Sequence, residues 1–455
     1  MKKTLSFFLL LVLILPLFGA GCGQSPAEVE AAKPVTLKVW SVFEDEDSMN
    51  LLMDAYRKVH SNVSFDFKTL RYDEYENELL RSFATGEGPD IFSIHNTWVG
   101  EYTDLVSPLP ASLSIPYTEV KGGLKKETIT TLREEKSLTL QELKNNFVGV
   151  VYDDVVRSYQ PDPDKEATDK IFALPLFVDT LALYSNTKLL NTAGIALPPK
   201  TWQQFQDQVK LLTKLDSTGK ITQSAAAIGT GKNIERAADI LSVLMLQNGA
   251  TMENNNQASF ATKVAERTPA SEALRFYTDF ANPVKEVYTW NSEMADSFEA
   301  FANNKTAFFF GYAYHQPLLK TQAPKLEYQV STLPQIEGGK TVNLANYWVW
   351  TVAKSSENSK WGWDFIEFAA KEENVKAYLE ASGRPTALRG LINTQSENPE
   401  VNTFVSQLLT AENWYHGKDA GVVEEAFTYI IDNALSGTEL DTLVKEAQNK
   451  INQTY

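Results

Sequence analysis

Cysteine is all but missing: Cys22 is the only one in 455 residues, so no intramolecular disulfide can form and the fold must rest on its apolar core. Basic residues are short too, 42 Lys and Arg against 58 Asp and Glu, for a formal charge of −16. A field of that sign opposes nucleic acid and anionic membrane surfaces, and no nucleic-acid partner is expected. The four histidines, His60, His95, His315 and His416, are never spaced as metal ligands and have no cysteine to help them, so no metal or cofactor is expected. Enzymatic signatures are absent as well. Gly229-Thr230-Gly231-Lys232 has Ala226 where a phosphate loop needs its first glycine and Asn233 where it needs Ser or Thr. No G-x-S-x-G elbow occurs. Asp162, Asp164 and Glu166 start like a calcium loop, but Ala167 replaces the required glycine. The expectation is a chain that performs no chemistry.

What is present begins at the amino terminus. Lys2 and Lys3 precede the apolar run Leu5 to Phe18, and Gly19-Ala20-Gly21 puts small residues directly before Cys22. That is the anatomy of a secretory signal over residues 1–21, and the cysteine behind it looks like the acceptor of a bacterial lipoprotein anchor. Gly19 stands where such a box usually carries Leu. The run is too short to span a hydrocarbon core of about 30 Å. Cleavage would take the formal charge from −16 to −18. The chain is thus expected to be exported and lipid-anchored on the extracytoplasmic face, touching the membrane through Cys22. Residues 22–34 hold no large aliphatic cluster and are expected to be a flexible spacer.

The remaining body, about 430 residues, suits two domains. Val35, Leu37 and Val39 alternate with polar neighbours as in a strand. Met49, Leu52, Met53, Tyr56 and Val59 follow at helical spacing behind the acidic stretch Glu44 to Asp47. A strand over Val63 to Phe67, a helix carrying Tyr75, Leu79, Leu80 and Phe83, and an apolar strand from Asp90 to Ile94 continue the alternation. The same grammar returns later. Ile171 to Tyr184 is strand-like; Thr201 and Gln204 resemble a capping box; Asp239 to Gln247 is an apolar helix; and Thr306 to Gly311 is a strand. Helices carry Trp361, Phe365 and Phe368, then Phe427, Ile430 and Ile431. The pattern predicts an α/β fold with helices covering mainly parallel strands. Residues 111–170 are polar and yield no pattern.

Aromatic residues gather where strands end: Trp40, Trp98, Trp290, Tyr312, Tyr314, Tyr347, Trp348, Trp414 and Tyr415. Trp202, Trp361 and Trp363 lie on helical stripes and are assigned to packing. A sugar presents flat CH faces and a rim of hydroxyls, so its site needs aromatic plates and polar side chains together. Glu44, Asn96, Asp179, Asn346 and Arg384 are near the plates in sequence and suit the rim. Each aromatic taken singly is better explained by packing than by ligand contact; the group carries the signal.

Several segments, in order, resemble the solute-binding proteins of ABC importers, the family that includes maltose-binding protein. These are Leu37-Lys38-Val39-Trp40, Gly86-Glu87-Gly88-Pro89-Asp90-Ile91, Ala173-Leu174-Pro175-Leu176 with Tyr184-Ser185-Asn186-Thr187, Pro199-Lys200-Thr201-Trp202, Phe301 to Gly311, and Trp361 to Phe368. Asn304 replaces the family's usual Gly, and Phe309-Phe310 its Met-Ile type strand. The resemblance implies a two-lobed periplasmic-binding-protein type II fold with hinge crossings and an interlobe ligand cleft. It places one lobe at 35–178 plus 337–397 and the other at 179–336 plus 398–455. By position it points to Glu44, Asp45, His95, Asn96, Trp98, Asp179, Tyr312, Tyr314, Trp414 and Glu424 as ligand contacts, and it moves the aromatic plate after the Asp90 strand from Ile94 to Trp98.

The implied function is capture of a sugar or oligosaccharide by hinge closure and delivery to the transmembrane subunits of an ABC permease, by a monomeric protein. Two alternatives stay open at this stage: an exported glycosidase, whose cleft also combines carboxylates with aromatic plates, and a ligand-binding module for a membrane sensor.

Overall fold

The computed structural model describes residues 25–121, 127–162 and 164–455; the leader and Cys22 lie outside the described residues. The first sheet has the strand order Trp348–Val352, Ile91–His95, Val35–Ser41, Val63–Thr69. Its three amino-terminal strands are parallel, and Trp348–Val352 runs antiparallel along Ile91–His95. The second sheet has the order Lys214–Leu215, Ile221–Ala226, Thr306–Gly311, Ala182–Asn186, Tyr328–Ser331.

Local chemistry explains the helices around these sheets. Asp45 caps Glu46–Val59 by accepting from the Ser48 N–H at 2.8 Å, and acids in the first turn and Arg57 and Lys58 in the last suit the helix dipole. Its Met49, Leu52, Met53 and Tyr56 are buried, as the spacing requires. Helix Tyr72–Thr85 stops at Gly86, which turns the chain left-handed at φ 73°. Thr201 caps Trp202–Leu212, but Gln204 reaches back to the Lys200 N–H (2.8 Å) instead of the cap residue's own. Asn304, the substituted glycine, has φ 57° in the turn before Thr306–Gly311, and its Oδ1 accepts from Asn186 at 2.9 Å. Asn tolerates that conformation, so the turn survives. Gly229 belongs to a packed turn: at φ 114°, a Cβ there would meet the Ala281 N at 2.8 Å.

Two stretches differ from expectation. Residues 26–32, inside the expected flexible spacer, form the helix Pro26–Ala32, with Ser25 and Glu28 completing a capping box and Glu30 paired to Lys360 at 2.5 Å. Residues 112–136, which yielded no pattern, contain a long hairpin, Ser112–Lys121 against Glu127–Lys136. Its second strand is largely charged and Thr-rich, so no apolar alternation marks it.

Three apolar clusters form the core. The first takes Leu37 through Val178 and Ala345 through Ala411; the second takes Leu181 through Leu344 and Trp414 through Ile451. A small third cluster joins Tyr184, Phe309 and Leu319 to Phe404. Between the two main cores lies a three-stranded sheet, Ala411–Glu412, Asn343–Asn346, Asp179–Thr180, with Asn346 opposite Asp179 and Asn343 opposite Ala411. The chain therefore passes from core to core at 178–181, 344–345 and 411–414. Residues 400–408 touch both sides: Val401, Val405 and Leu408 pack in the first core, while Glu400 pairs with Lys320 and Phe404 packs with Tyr184 and Phe309.

Candidate functional site

The first lobe offers a wall of rings. Trp348, at the start of its strand, is 8% exposed and sits at the centre. Phe43 (5.4 Å), Trp98 (5.4 Å), His95 (5.8 Å) and Tyr72 (6.3 Å) meet it edge-on. Phe43 and Tyr72 stack on each other at 5.8 Å, and Tyr72 stacks on Trp98 at 6.5 Å. Phe43 and Tyr72 are each 55% exposed, large apolar surfaces left open to solvent. Local turns position them: Phe43 follows the Val35–Ser41 strand, Tyr72 opens a helix, and Trp98 ends a short 3-10 turn after Ile91–His95.

The second lobe offers hydrogen-bonding groups. Asp239, in the first turn of helix Ala237–Gln247, accepts through Oδ2 from Arg236 (2.9 and 2.7 Å), the Tyr312 hydroxyl (2.5 Å) and Asn346 (3.4 Å). Its Oδ1 accepts nothing among the described residues. Burial opposes the Arg236 charge, but Asp239 beside it holds the guanidinium protonated. Tyr314, 41% exposed, stacks on Tyr312 at 6.1 Å and donates to Glu235 at 3.1 Å. Burial would raise the Glu235 carboxyl, yet hydrogen bonds from His315 and Tyr314 leave it below its ordinary range.

The two walls feel each other. Burial raises the Tyr72 hydroxyl, with Glu424 from the second lobe adding to the shift and Arg236 opposing it. Burial likewise pushes His95 down to about 4, with Arg236 contributing from across the gap. Glu424 is raised by burial, relieved by Arg236, and carries no ion pair among the described residues.

The structure sorts the sequence-based candidates into three groups. Trp98, Trp348, His95, Tyr312, Tyr314, Asn346 and Glu424 gather on the walls. A second group holds the scaffold. Glu44 is buried, accepts from the Tyr378 hydroxyl at 2.6 Å and lies 3.6 Å from Arg384. Arg384 donates to the Phe43 carbonyl at 2.6 Å and lies over the Phe177 ring, so this pair positions Phe43. Asp45 is a helix cap. Asp179 accepts from the Thr180 and Ala313 N–H groups, both at 2.8 Å, stapling the first passage to the second lobe; burial pushes it up to about 7. Trp40 lies beneath Lys68 at 4.6 Å on its own sheet.

The third group is corrected: its members are core. Trp290 is fully buried and donates to Asn233. Trp414 is 5% exposed, donates to Ser242 and stacks on Phe427. Tyr415 packs beside it and pairs with Thr454. Tyr347 and Asn96 are both fully buried and bind Asp154. Ile94, likewise, is buried, and Trp98 follows the end of that strand on the ring wall.

Sequence reasoning missed Phe43, Tyr72, Glu235, Arg236 and Asp239. An acid–base pair three residues apart ahead of an apolar helix was the one available signal for Arg236 and Asp239. A cavity of about 640 Å³ opens elsewhere in the first lobe, between Lys136–Phe147 and Glu367–Gly390, and holds none of the expected residues.

Two α/β lobes around separate cores, joined by three strand passages, with unlike walls facing each other, define a two-lobed binding-protein fold with an interlobe cleft. The chain belongs to the bacterial extracellular solute-binding proteins, whose family profile matches residues 52–403. It is 23% identical over 423 residues to the melibiose/raffinose/stachyose-binding protein MelE of Bacillus subtilis (strain 168), covering 89% of this chain and 84% of that protein. It is 22% identical over 400 residues to an uncharacterized lipoprotein of Streptomyces antibioticus, covering 82% and 73%. Among solved structures, the cyclic alpha-maltosyl-1,6-maltose binding protein from Arthrobacter globiformis superposes with a TM-score of 0.70 at 18% identity, covering 92% of this chain and 99% of that one.

Proposed function

We propose that this protein captures a sugar or short oligosaccharide between its lobes and hands it to the membrane subunits of an ABC importer. The observation that carries this reading is the pairing of unlike walls. Phe43, Tyr72 and Trp98 offer flat apolar faces, and Asp239, Arg236, Tyr314 and Glu424 offer donors and acceptors opposite them. Sugars need both kinds of surface. The sugar-binding names of its relatives support the same class. A ligand bridging the walls favours the closed setting, and the three-strand sheet at the passages is where the lobes would pivot. We assign the lobes to 35–178 plus 345–411 and to 181–344 plus 414–455. The leader and Cys22 would tether the body outside the cell.

Two carboxylates of this wall have internal partners, Asp239 with Arg236 and Tyr312, and Glu235 with His315 and Tyr314, while Glu424 has no ion pair among the described residues. The binding-protein family supports capture without turnover. Thermal melting of the mature chain against melibiose, raffinose, stachyose and maltodextrins tests the proposal. A ligand at a hundred times its Kd adds about 2.7 kcal/mol. No shift with any sugar, or release of product from a bound one, would defeat it. Loss of membrane-fraction recovery on Cys22→Ala checks the tether.

A further inference from the structure

Behind the ring wall lies a charged junction. Asp154, in helix Gly149–Val155, is completely buried. Its Oδ2 accepts from Asn96 (2.9 Å) and from the Tyr347 hydroxyl (2.6 Å). Its Oδ1 accepts from Asn413 (2.9 Å) and faces the His416 Nε2 at 3.3 Å. The other ring nitrogen of His416 lies 3.0 Å from Glu253, which also accepts from the Tyr455 hydroxyl at 2.8 Å.

Each arm leads somewhere that matters. Asn96 is two residues before Trp98, and Tyr347 is the residue before Trp348, so one carboxylate oxygen fixes the backbones that carry both tryptophans of the ring wall. Asn413 belongs to the last passage between the lobes, His416 follows just beyond it, and Glu253 sits between Met252 and Ala258 of the second core. The contact is tight: a Cβ at Gly100 of the first lobe would lie 2.6 Å from the His416 carbonyl.

We propose that Asp154 is a positioning residue for the binding site: it sets Trp98 and Trp348, and through His416 and Glu253 it couples their placement to the setting of the two lobes. Although burial opposes its charge, hydrogen bonds from His416, Tyr347 and Asn413 hold Asp154 ionised below its ordinary range. Burial also opposes charge on His416, but Asp154 and Glu253 raise it to about 9, with Arg157 opposing. The junction is faced by Asp153 and Arg157 from the first lobe, Glu253, Tyr347 and Tyr455, while Glu101 on the helix beneath faces Asp419. The coupling is therefore strongest with His416 protonated and weakens as pH rises past about 9.

This inference rests on the sugar-capture reading for its affinity measurement, but not for its structural one. In the mature chain carrying Cys22→Ser, Lys58→Cys and Lys445→Cys supply the only thiols, one per lobe, and spin labels on them report the interlobe distance. Asp154→Asn and His416→Gln are each expected to shift or broaden that distance in the ligand-free protein. They should also weaken the best sugar of the panel about tenfold and threefold. Parent affinity should fall between pH 8 and 10, and His416→Gln should show a flat profile. Should Asp154→Asn fail to fold, Asn413→Ala, which removes one arm, replaces it. Parent-like distances with parent-like pH profiles in folded variants would overturn the proposal. If no sugar binds, the distances alone decide it, and only the capture reading falls.

Discussion

The two walls of the cleft are built on opposite plans. The first lobe presents Phe43, Tyr72, Trp98 and Trp348 with hardly a charge, and its rings are held by packing on one another. The second presents Arg236, Asp239 and Glu235, held by ion pairs and hydroxyls, beside a Glu424 that has no ion pair among the described residues. If sugar is captured here as proposed, the ring wall would supply contact area that survives a change of ligand, and the polar wall would discriminate between hydroxyl patterns.

That contrast can be broken most severely at its centre. Trp348→Ala should remove about 3–5 kcal/mol of stability, read by urea unfolding, because five rings, Tyr75 among them, lose their common partner. Asp239→Ala should cost about 3 kcal/mol by leaving Arg236 without its carboxylate, and Arg236→Ala should cost less, because Asp239 keeps Tyr312 and Asn346 as donors; the reverse order would contradict the pairing as drawn.

The seam between the walls gives a pH test. Asp179 keeps its proton in the folded chain up to about 7, whereas the unfolded chain releases it near its ordinary value of 3.8. The folded state thus holds the extra proton in between, and this group's contribution to stability declines as pH rises from about 4 to about 7, by on the order of 4 kcal/mol. Asp179→Asn should flatten that part of the Tm-against-pH curve.

Smaller effects sharpen the contrast further. Trp98→Ala should weaken sugar binding by about 1–2 kcal/mol, in calorimetry, for every sugar of the panel alike. By contrast, Tyr314→Phe should change the ranking of sugars more than the overall affinity. Phe43→Ala, at an exposed position, should alter Tm by the equivalent of less than about 1 kcal/mol.

The regular elements were legible because their periodicity is local: Met49 to Tyr56, Leu37 and Val39, and the apolar Ile240–Met245 run all fall where spacing puts them. The long hairpin was not, since Glu127–Lys136 shows its neighbours Thr and charge on both faces. Within the site, a tryptophan at a strand end is visible, but which side of the sheet it enters is not. Trp290 and Trp414 turned inward because Asn233 and Ser242, distant in sequence, wait there for the indole N–H. Arg236 and Asp239 stayed hidden because their pairing partner Tyr312 lies 73 residues on. A lone acid–base pair looks like any helix start.

The threefold passage between cores also governs how the molecule must come into being. The first lobe borrows its edge strand Trp348–Val352 and the helix Ser359–Ala370 from beyond the whole second lobe, and the second borrows Ala420–Leu435 from beyond those. No cut within either insertion leaves both lobes whole. By the proposed assignment the first lobe is incomplete until residue 411 has been made and the second until the closing helices have, so the emerging chain holds no finished unit for most of its synthesis.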